Sequence, residues 1–196
     1  MKMVLASKNQ KKMKEMNEIL SGMGVEVCLQ ADVGLDIDVE ETGTTFEENS
    51  RLKAQAVMEA SGLPAIADDS GLCVDALAGA PGVYSARYGG EGLDDAGRYR
   101  LLLANMPKGA ARTAKFVSVI TCCFPNGDVL TARGECPGTI AFAPMGEGGF
   151  GYDPVFSLPK LKKTFAQLSA EEKNAISHRG LALAEFQGKL EEYLKK

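Results

Sequence analysis

The segment that most constrains the fold is residues 65–72, where a short apolar run ends in two adjacent acids, a hydroxyl and a glycine. Apolar residues before a turn are typical of a buried strand, so we expect a buried strand that ends at the two acids. Carboxylates at the end of a strand lie at the rim of the sheet, where α/β proteins commonly bind ligands. Asp68 and Asp69 repel each other unless a cation lies near them, and Mg²⁺ is the obvious candidate because it favours oxygen ligands and phosphate partners. The alternative is an acidic surface turn in which Gly71 sets the bend.

Strand and helix patterns follow one another along the rest of the chain. They predict an α/β fold with a mixed central β-sheet and flanking helices. Besides the strand that begins at Ala65, predicted strands cover residues 3–6, 25–29, 113–124 and 129–136. Four helices are predicted. The first buries Met13, Met16, Leu20 and Met23, and the second follows a Thr45–Glu48 capping box. The third runs from Asp94 to about Asn105, and the last begins near Ser177 with the apolar positions Leu181, Ala184, Leu190 and Leu194. Because we find no repeat, low-complexity tract or linker, we expect residues 1–196 to form a single domain.

Composition excludes several classes of protein. The 22 basic and 26 acidic residues give a net charge of -4, which argues against a nucleic-acid-binding protein because that function needs a basic face. The five cysteines are odd in number and lack CxxC spacing, so they predict neither a disulfide framework nor a zinc site. Reduced thiols favour a cytoplasmic protein. The apolar start is too short for a signal-peptide core, and no apolar run has the length of a membrane-spanning helix.

The polar turn after the first strand carries Ser7, Asn9 and Lys12 and is the first candidate binding site. A turn that leads into a helix presents free backbone N–H groups and the positive end of the helix dipole. The hydroxyl, the amide and the ammonium group add to this, so the turn has the chemistry of an anion-binding site. The glycines of a Walker motif are missing. The alternative is a solvated, lysine-rich helix start.

A second candidate combines acids with a helix that follows them. Glu40 and Glu41 precede the helix, whose N-terminus favours negative charge. Asn49 and Lys53 lie four residues apart and therefore share a face of that helix, from which they could reach a phosphate or an acid. The alternatives are ordinary helix capping, which we prefer for Glu48, and a solvated lysine.

Two later segments suit a flat or highly charged ligand. Phe150 lies between glycines, so its ring can project from the backbone, and Asp153 precedes a proline that holds it extended. Lys173, His178 and Arg179 provide donors and positive charge for a polyanion or a keto-bearing base. Because His178 is the only histidine, a histidine-cluster metal site is excluded. The alternatives are an aromatic plug in a loop and a structural histidine.

Six motifs along the chain, taken together, resemble those of the inosine/xanthosine triphosphate pyrophosphatase family. They are SxNxxKxxE at residues 7–15, EETGxTFxEN at 40–49, ADDSGL at 67–72, GVYSARY at 82–88, GGFGYDP at 148–154 and SHRG at 177–180. Each motif alone is weak, but their common order and their spread over nearly the whole chain are specific. The sequence departs from the family in Lys8 and Lys11, where many members carry smaller residues, and in Ser7, where threonine is common. These departures concern the geometry of phosphate binding rather than the reaction.

The resemblance implies two lobes around an active-site cleft and Mg²⁺-dependent hydrolysis of ITP, dITP and XTP to the monophosphate and pyrophosphate. It implies that Asp69 is the proton acceptor and that Glu41, Asp68 and Asp69 form the metal site. The implied substrate-binding residues are Ser7, Lys8, Asn9, Gln10, Lys11, Lys12, Lys53 and Ser70 around the phosphates, and Phe150, Gly151, Tyr152, Asp153, Lys173, His178 and Arg179 around the nucleoside.

A homodimer is also implied, and one segment adds to this expectation. Residues 79–92 are rich in glycine and hold Tyr84 but show little helix or strand pattern, so we expect them to need a partner surface for order.

Two other functions stay open at this point. One is a Maf-type nucleotide pyrophosphatase, which favours modified pyrimidines, and the other is a non-catalytic nucleotide sensor with the same pocket.

Overall fold

The computed structural model describes residues 1–195, so Lys196 and also the side chain of Lys11 lie outside the described residues. Strands and helices succeed one another in an α/β arrangement, as predicted. Their bounds are β1 Lys2–Leu5, α1 Gln10–Leu20, β2 Glu26–Leu29, α2 Phe46–Ser61, β3 Ala65–Val74, α3 Asp95–Asn105, β4 Thr113–Cys123, β5 Val129–Ile140, β6 Phe156–Leu158, β7 Lys163–Thr164, α4 Ala170–Ile176 and α5 His178–Leu194.

The strands form one seven-stranded sheet in the order β2-β1-β3-β4-β5-β6-β7. Strand β1 is parallel to β2 and to β3, whereas β6 is antiparallel to β5 and to β7. The prediction of a mixed sheet is therefore confirmed. Parallel pairs need a crossover connection, and α1 and α2 provide it between the first three strands.

The chain divides into two compact units. The first comprises Met1–Asp69, Ser118–Gly134 and the chain from Leu181, and the second comprises Ser70–Val117 and Glu135–Gly180. In the first unit, the core includes Met16 and Leu20, which confirms the predicted buried face of α1. In the second unit, the rings of Phe116, Phe156 and Phe165 pack within 6 Å of one another, with centroid distances of 4.6, 5.6 and 4.8 Å. The assignment of residues 1–196 to a single domain stays a prediction.

Strand β3 differs from the prediction in a way that matters for the site. The expected end of the strand at the two acids is wrong, because β3 continues through them, Ser70 and Gly71 as far as Val74. Asp68 and Asp69 are 4% and 6% exposed, so they belong to the buried polar residues rather than to a solvated turn. Charged groups interrupt a strand pattern in the sequence, but lysines that neutralise them allow the strand to continue.

Two further predictions need correction. Strand β5 extends to Ile140, four residues beyond the predicted end. On α5, the predicted position Leu190 is buried, but Leu181 and Leu194 are 43% and 47% exposed, and Ala184 is exposed as well. Ala182, Leu183 and Phe186 complete the buried face with Leu190. Within residues 79–92, where little helix or strand pattern was expected, Gly82–Arg87 forms a short 3-10 helix. Among residues 1–195, no helix is long and apolar enough to cross a membrane.

Candidate active site

A group of largely buried charges in the first unit is centred on Lys53. Its Nζ donates to Glu41 Oε1 at 2.6 Å, to Asp69 Oδ1 at 3.0 Å and to the backbone carbonyl of Asp68 at 3.1 Å. The side chains of Lys53 and Asp69 are only 15% and 8% exposed. The second and third sequence motifs thus meet at one ammonium group, although the sequence contains no local signal that pairs them.

Helix α2 places this lysine and also holds the loop that carries Glu41. Thr45 accepts a hydrogen bond from the backbone N–H of Glu48 at 3.1 Å, and the Glu48 carboxylate accepts from the N–H of Thr44 and of Thr45, which confirms the predicted capping box. One residue further on, Asn49 Oδ1 accepts from the N–H of Gly43 at 2.8 Å. The first turn of α2 therefore fixes the acidic loop, and the next turn presents Lys53 to it.

The electrostatics of Asp69 suit a group that exchanges a proton near neutral pH. Burial raises the pKa of Asp69 from its ordinary value of 3.8 to about 6; Lys53 opposes this rise, and the charges of Glu41 and Asp68 add to it. Burial alone would lower the pKa of Lys53, but the charges of Asp69 and Glu41 outweigh it and raise that pKa. A pKa of about 6 places the protonation of Asp69 close to neutral pH.

Oxygen ligands for a hard cation are present in the same group. Glu41, Asp68 and Asp69 offer only carboxylate oxygens, the ligand type that Mg²⁺ favours. Within the described residues, Oδ2 of Asp69 is buried and has no hydrogen-bond partner, so it is an acceptor suited to a cation. No set of three or more His, Cys, Asp or Glu side chains among residues 1–195 forms a ready-made metal cage. This arrangement fits Mg²⁺, which is usually held by one or two carboxylates together with substrate phosphates.

The turn between β1 and α1 is organised mainly by its own polar groups. Ser7 Oγ accepts from the N–H of Asn9 at 3.1 Å, and Asn9 Oδ1 accepts from the N–H of Lys12 at 3.3 Å. Both side-chain oxygens therefore act as acceptors within this segment, and that of Asn9 caps α1. Lys12 Nζ lies 3.6 Å from Asp68 Oδ2, which links this turn to the acids of β3.

The remaining residues predicted around the phosphates differ in their exposure and in their contacts. Lys8 is exposed and pairs with Asp36 at 2.6 Å, a partner that the sequence analysis missed. Gln10 begins α1 and is exposed, whereas Ser70 is half-buried in β3. The predicted Lys11 side chain lies outside the described residues.

A second group of functional candidates lies in the second unit and is centred on Asp153. Its Oδ2 accepts from Lys173 Nζ at 2.6 Å and from the backbone N–H of Phe150 at 3.0 Å. Lys173 Nζ and Arg179 Cζ lie 4.7 and 5.6 Å from the centroid of the Phe150 ring. The structure thus brings together four of the residues predicted around the nucleoside, Phe150, Asp153, Lys173 and Arg179.

His178 and Tyr152 are more deeply embedded than the sequence suggests. The imidazole of His178 stacks on Phe116, with centroids 4.6 Å apart and an interplanar angle of 12°. Tyr152 is 5% exposed and donates its hydroxyl hydrogen to the carbonyl oxygen of Ser85 at 2.7 Å. Both residues are therefore parts of the packed interior of the second unit, and Phe116 was not expected beside the histidine because it lies within a strand pattern.

Comparisons with known proteins identify the family of this chain. The fold and the buried lysine–carboxylate group define an α/β protein of the mixed-sheet class with an acidic polar centre. The Ham1 family model matches residues 3–189, and the chain therefore belongs to the Ham1 family.

Relatives in this family match over their full length. A dITP/XTP pyrophosphatase of Exiguobacterium sp. is 45% identical, with 100% of both chains covered, and one of Haemophilus influenzae is 51% identical, with 96% of this chain and 98% of the relative covered. The solved structure of the Staphylococcus aureus Ham1 protein has a TM-score of 0.92 and 44% identity, and covers 98% of this chain and 100% of that one. A Ham1 protein from Coxiella burnetii gives a TM-score of 0.93 at 42% identity, with 98% and 99% covered.

Proposed function

We propose that this chain hydrolyses non-canonical purine nucleoside triphosphates, namely ITP, dITP and XTP, to the monophosphate and pyrophosphate. It is then a nucleoside-triphosphate pyrophosphatase that clears such nucleotides from the cellular pool. The observation that carries the proposal is the bridge of Lys53 between Glu41 and Asp69, in a chain whose full-length relatives are named dITP/XTP pyrophosphatases.

Asp69 acts as the proton acceptor in this proposal. A pKa of about 6 leaves the carboxylate ionised at neutral pH while keeping it basic enough to take a proton from water. Lys53 holds the Oδ1 oxygen at 3.0 Å, so Oδ2, which is buried without a hydrogen-bond partner, is the oxygen available to accept the proton. No nucleophilic serine or cysteine is required, because phosphoryl transfer depends mainly on positioning and on charge stabilisation.

Glu41, Asp68 and Asp69 would hold Mg²⁺ together with the substrate. Bound Mg²⁺ supplies charge that offsets the triphosphate and favours departure of pyrophosphate. The turn of residues 7–12, with Lys53 and Ser70, supplies cations and N–H groups for the phosphate oxygens. Among these, Lys12 is already directed toward the acids by its ion pair with Asp68.

Phe150 and Arg179 recognise the purine base in this proposal. The Phe150 ring offers a flat surface 40% exposed to solvent, and Arg179 lies beside it. The guanidinium group is a donor only, so it can pair with the keto oxygen at C6 of inosine and xanthine but not with the amino group of adenine. Sites built on such hydrogen bonds can discriminate by about 10⁴-fold.

A C2 homodimer in the cytoplasm completes the proposal. Tyr84 is 55% exposed on the 3-10 helix of Gly82–Arg87, with the Arg87 guanidinium 5.0 Å from its ring centroid, and such a pair is typical of interface residues. Cys28, Cys73, Cys122, Cys123 and Cys136 are all free thiols, in keeping with a reducing compartment.

A substrate panel tests the proposed function. We expect Mg²⁺-dependent release of pyrophosphate from ITP, dITP and XTP, and release from ATP slower by orders of magnitude. Preference for a modified pyrimidine triphosphate would favour the Maf-type alternative. Tight binding of ITP without any release of pyrophosphate would favour a nucleotide sensor, and both outcomes contradict the proposal.

A further inference from the structure

The loop that carries Phe150 is held at two consecutive backbone amides. The N–H of Phe150 donates to Asp153 Oδ2 at 3.0 Å, and the N–H of Gly151 donates to Asp95 Oδ2 at 2.8 Å. Asp153 is three residues from Phe150, whose N–H it accepts. Asp95 lies on α3, 56 residues from Gly151 in sequence. The second bond therefore fixes the loop to a different element of the same unit.

The bond to Asp95 acts on a permissive part of the loop, because the other backbone bonds here are those of the Gly148 N–H to the Ala166 carbonyl at 3.0 Å and of the Asp153 N–H to the Phe150 carbonyl at 3.2 Å. Gly149 and Gly151 have positive φ angles of +72° and +60°, and glycine populates many conformations when nothing holds it. The two bonded N–H groups belong to the peptide planes on either side of Phe150. Together they hold the backbone of Phe150 and so restrict the direction in which its side chain leaves the loop.

The direction of the ring matters because it sets the geometry of the positive groups around it. Lys173 Nζ and Arg179 Cζ lie 4.7 and 5.6 Å from its centroid, and Lys173 also shares the Asp153 carboxylate. A ligand that stacks on the ring while it bonds to Arg179 needs this geometry before it binds, since ordering the loop during binding would weaken affinity.

We propose that Asp95 is a positioning residue that orders the Phe150 loop for the purine base. This inference rests on the proposed function, because it concerns how that site holds its substrate. Asp95 does not contact the nucleotide in this proposal and acts only through the N–H of Gly151. Neither the helix pattern nor the six motifs assign a role to it.

The neighbouring acid provides a matched control. Asp94 Oδ1 accepts from the N–H of Gly97 at 2.7 Å and caps α3, as the sequence predicts. Two adjacent carboxylates at the start of one helix thus have separate partners. A variant of Asp94 tests whether a weakened helix start alone changes the loop, and a variant of Asp95 tests the bond to Gly151.

The experiment compares Asp95→Ala, Asp95→Asn and Asp94→Ala. Alanine and asparagine both remove the charge of Asp95, but only asparagine keeps an oxygen that can accept from Gly151. We expect Asp95→Ala to raise the KM for ITP by about 3- to 10-fold, as the loss of one hydrogen bond predicts, with kcat changed less than about twofold. Asp95→Asn should keep KM within about twofold of the unmodified protein, and Asp94→Ala should lower thermal stability without raising KM.

Hydrogen exchange of the Gly151 amide, measured by NMR without nucleotide, gives a readout that does not depend on activity. Faster exchange in Asp95→Ala only, together with the KM pattern above, supports the proposal. Equal KM increases in Asp95→Ala and Asp95→Asn, or in Asp94→Ala, overturn it because charge or helix stability would then be the cause. If the unmodified protein does not hydrolyse ITP, the proposed function fails, and unchanged Gly151 exchange in Asp95→Ala separately overturns the positioning role.

Discussion

Asp69 is a residue at which function and stability oppose each other. Its folded-state pKa of about 6 exceeds its ordinary value of 3.8, so between these pH values the folded protein binds more protons than the unfolded chain. The stability gained from this proton uptake is fully present below pH 3.8 and is lost as pH rises through about 6. At neutral pH the buried carboxylate therefore costs stability, although the same burial gives it useful basicity.

Replacing Asp69 with asparagine should separate these two effects. The asparagine side chain would keep the shape but carry no charge, so we expect Asp69→Asn to raise the free energy of unfolding at about pH 7.5 by about 1–3 kcal/mol. Turnover of ITP should fall by about 10²–10⁴-fold because the base is removed. Urea unfolding without Mg²⁺ or nucleotide and a turnover assay measure the two quantities.

The pH dependence provides the control for this substitution. The stability difference between the two proteins should shrink as the pH falls from about 7.5 to about 5, because Asp69 itself then becomes protonated. A difference that stays constant over this interval, or a variant with normal turnover, would remove Asp69 from the proposed role.

Arg179 is the residue at which base selectivity can be tested. Arg179→Ala should reduce kcat/KM for ITP more than for ATP, since only the keto base loses a hydrogen bond. Arg112→Ala is the matched control, because Arg112 also lies over a ring, with its Cζ 4.2 Å from the centroid of Phe142, and should leave the ITP-to-ATP ratio unchanged. Equal losses for both substrates in Arg179→Ala would assign Arg179 to the phosphates or the fold instead.

Among the elements, α2 does the most to assemble the acidic centre. Its capping box, Asn49 and Lys53 bind successive parts of the loop that carries Glu41. Asn49 is fully buried, and its amide oxygen approaches Gly43 so closely that an added Cβ there would lie 2.6 Å from it. The backbone of this loop is thus packed directly against the helix.

Gly43→Ala should disturb that packing. The new methyl group would also lie 2.6 Å from Glu48 Cβ, so the loop must move, and we expect unfolding to become easier by about 1–3 kcal/mol. Activity should fall by about 10- to 100-fold, the usual effect of displacing the support of a ligand residue. Gly22→Ala is the control because an added Cβ there meets no atom within 4 Å. Equal stability and activity in both variants would contradict the supporting role of the Asn49–Gly43 contact.

The same elements show what the sequence could and could not predict. The start of α2 was predictable because a capping box is a local signal between Thr45 and Glu48. The end of β3 was not, since the Asp69 carboxylate pairs with Lys53, 16 residues away, and the Asp68 carboxylate pairs with Lys12 of α1. The exposed face of α5 was misassigned because Leu181 and Ala182 are both apolar, and only packing decides which of them is buried.

At the scale of the whole molecule, each unit has its own apolar core and its own charged centre. The first holds the Lys53 group and the second holds the Asp153 group. The six ordered motifs predicted the family, which the comparisons confirm, yet long-range partners such as Asp36 and Asp95 have no local sequence signal. The roles of the individual site residues stay predictions until they are measured.

Assembly is a further property of the whole molecule. The chain has a mass of 20.8 kDa, and a C2 homodimer should give about 42 kDa in light scattering at micromolar concentration. Tyr84→Ser should shift this equilibrium toward the monomer, because it removes an exposed aromatic ring from the proposed interface. A monomer mass for the unmodified protein would contradict the proposed dimer.

Product analysis by ³¹P NMR tests the central claim most directly. The protein is mixed with ITP and Mg²⁺, and the first phosphorus-containing products are identified before secondary hydrolysis. We predict that IMP and pyrophosphate form together in equal amounts, because the proposed water attack cleaves the bond between the α- and β-phosphates. Initial formation of IDP and orthophosphate would contradict the account.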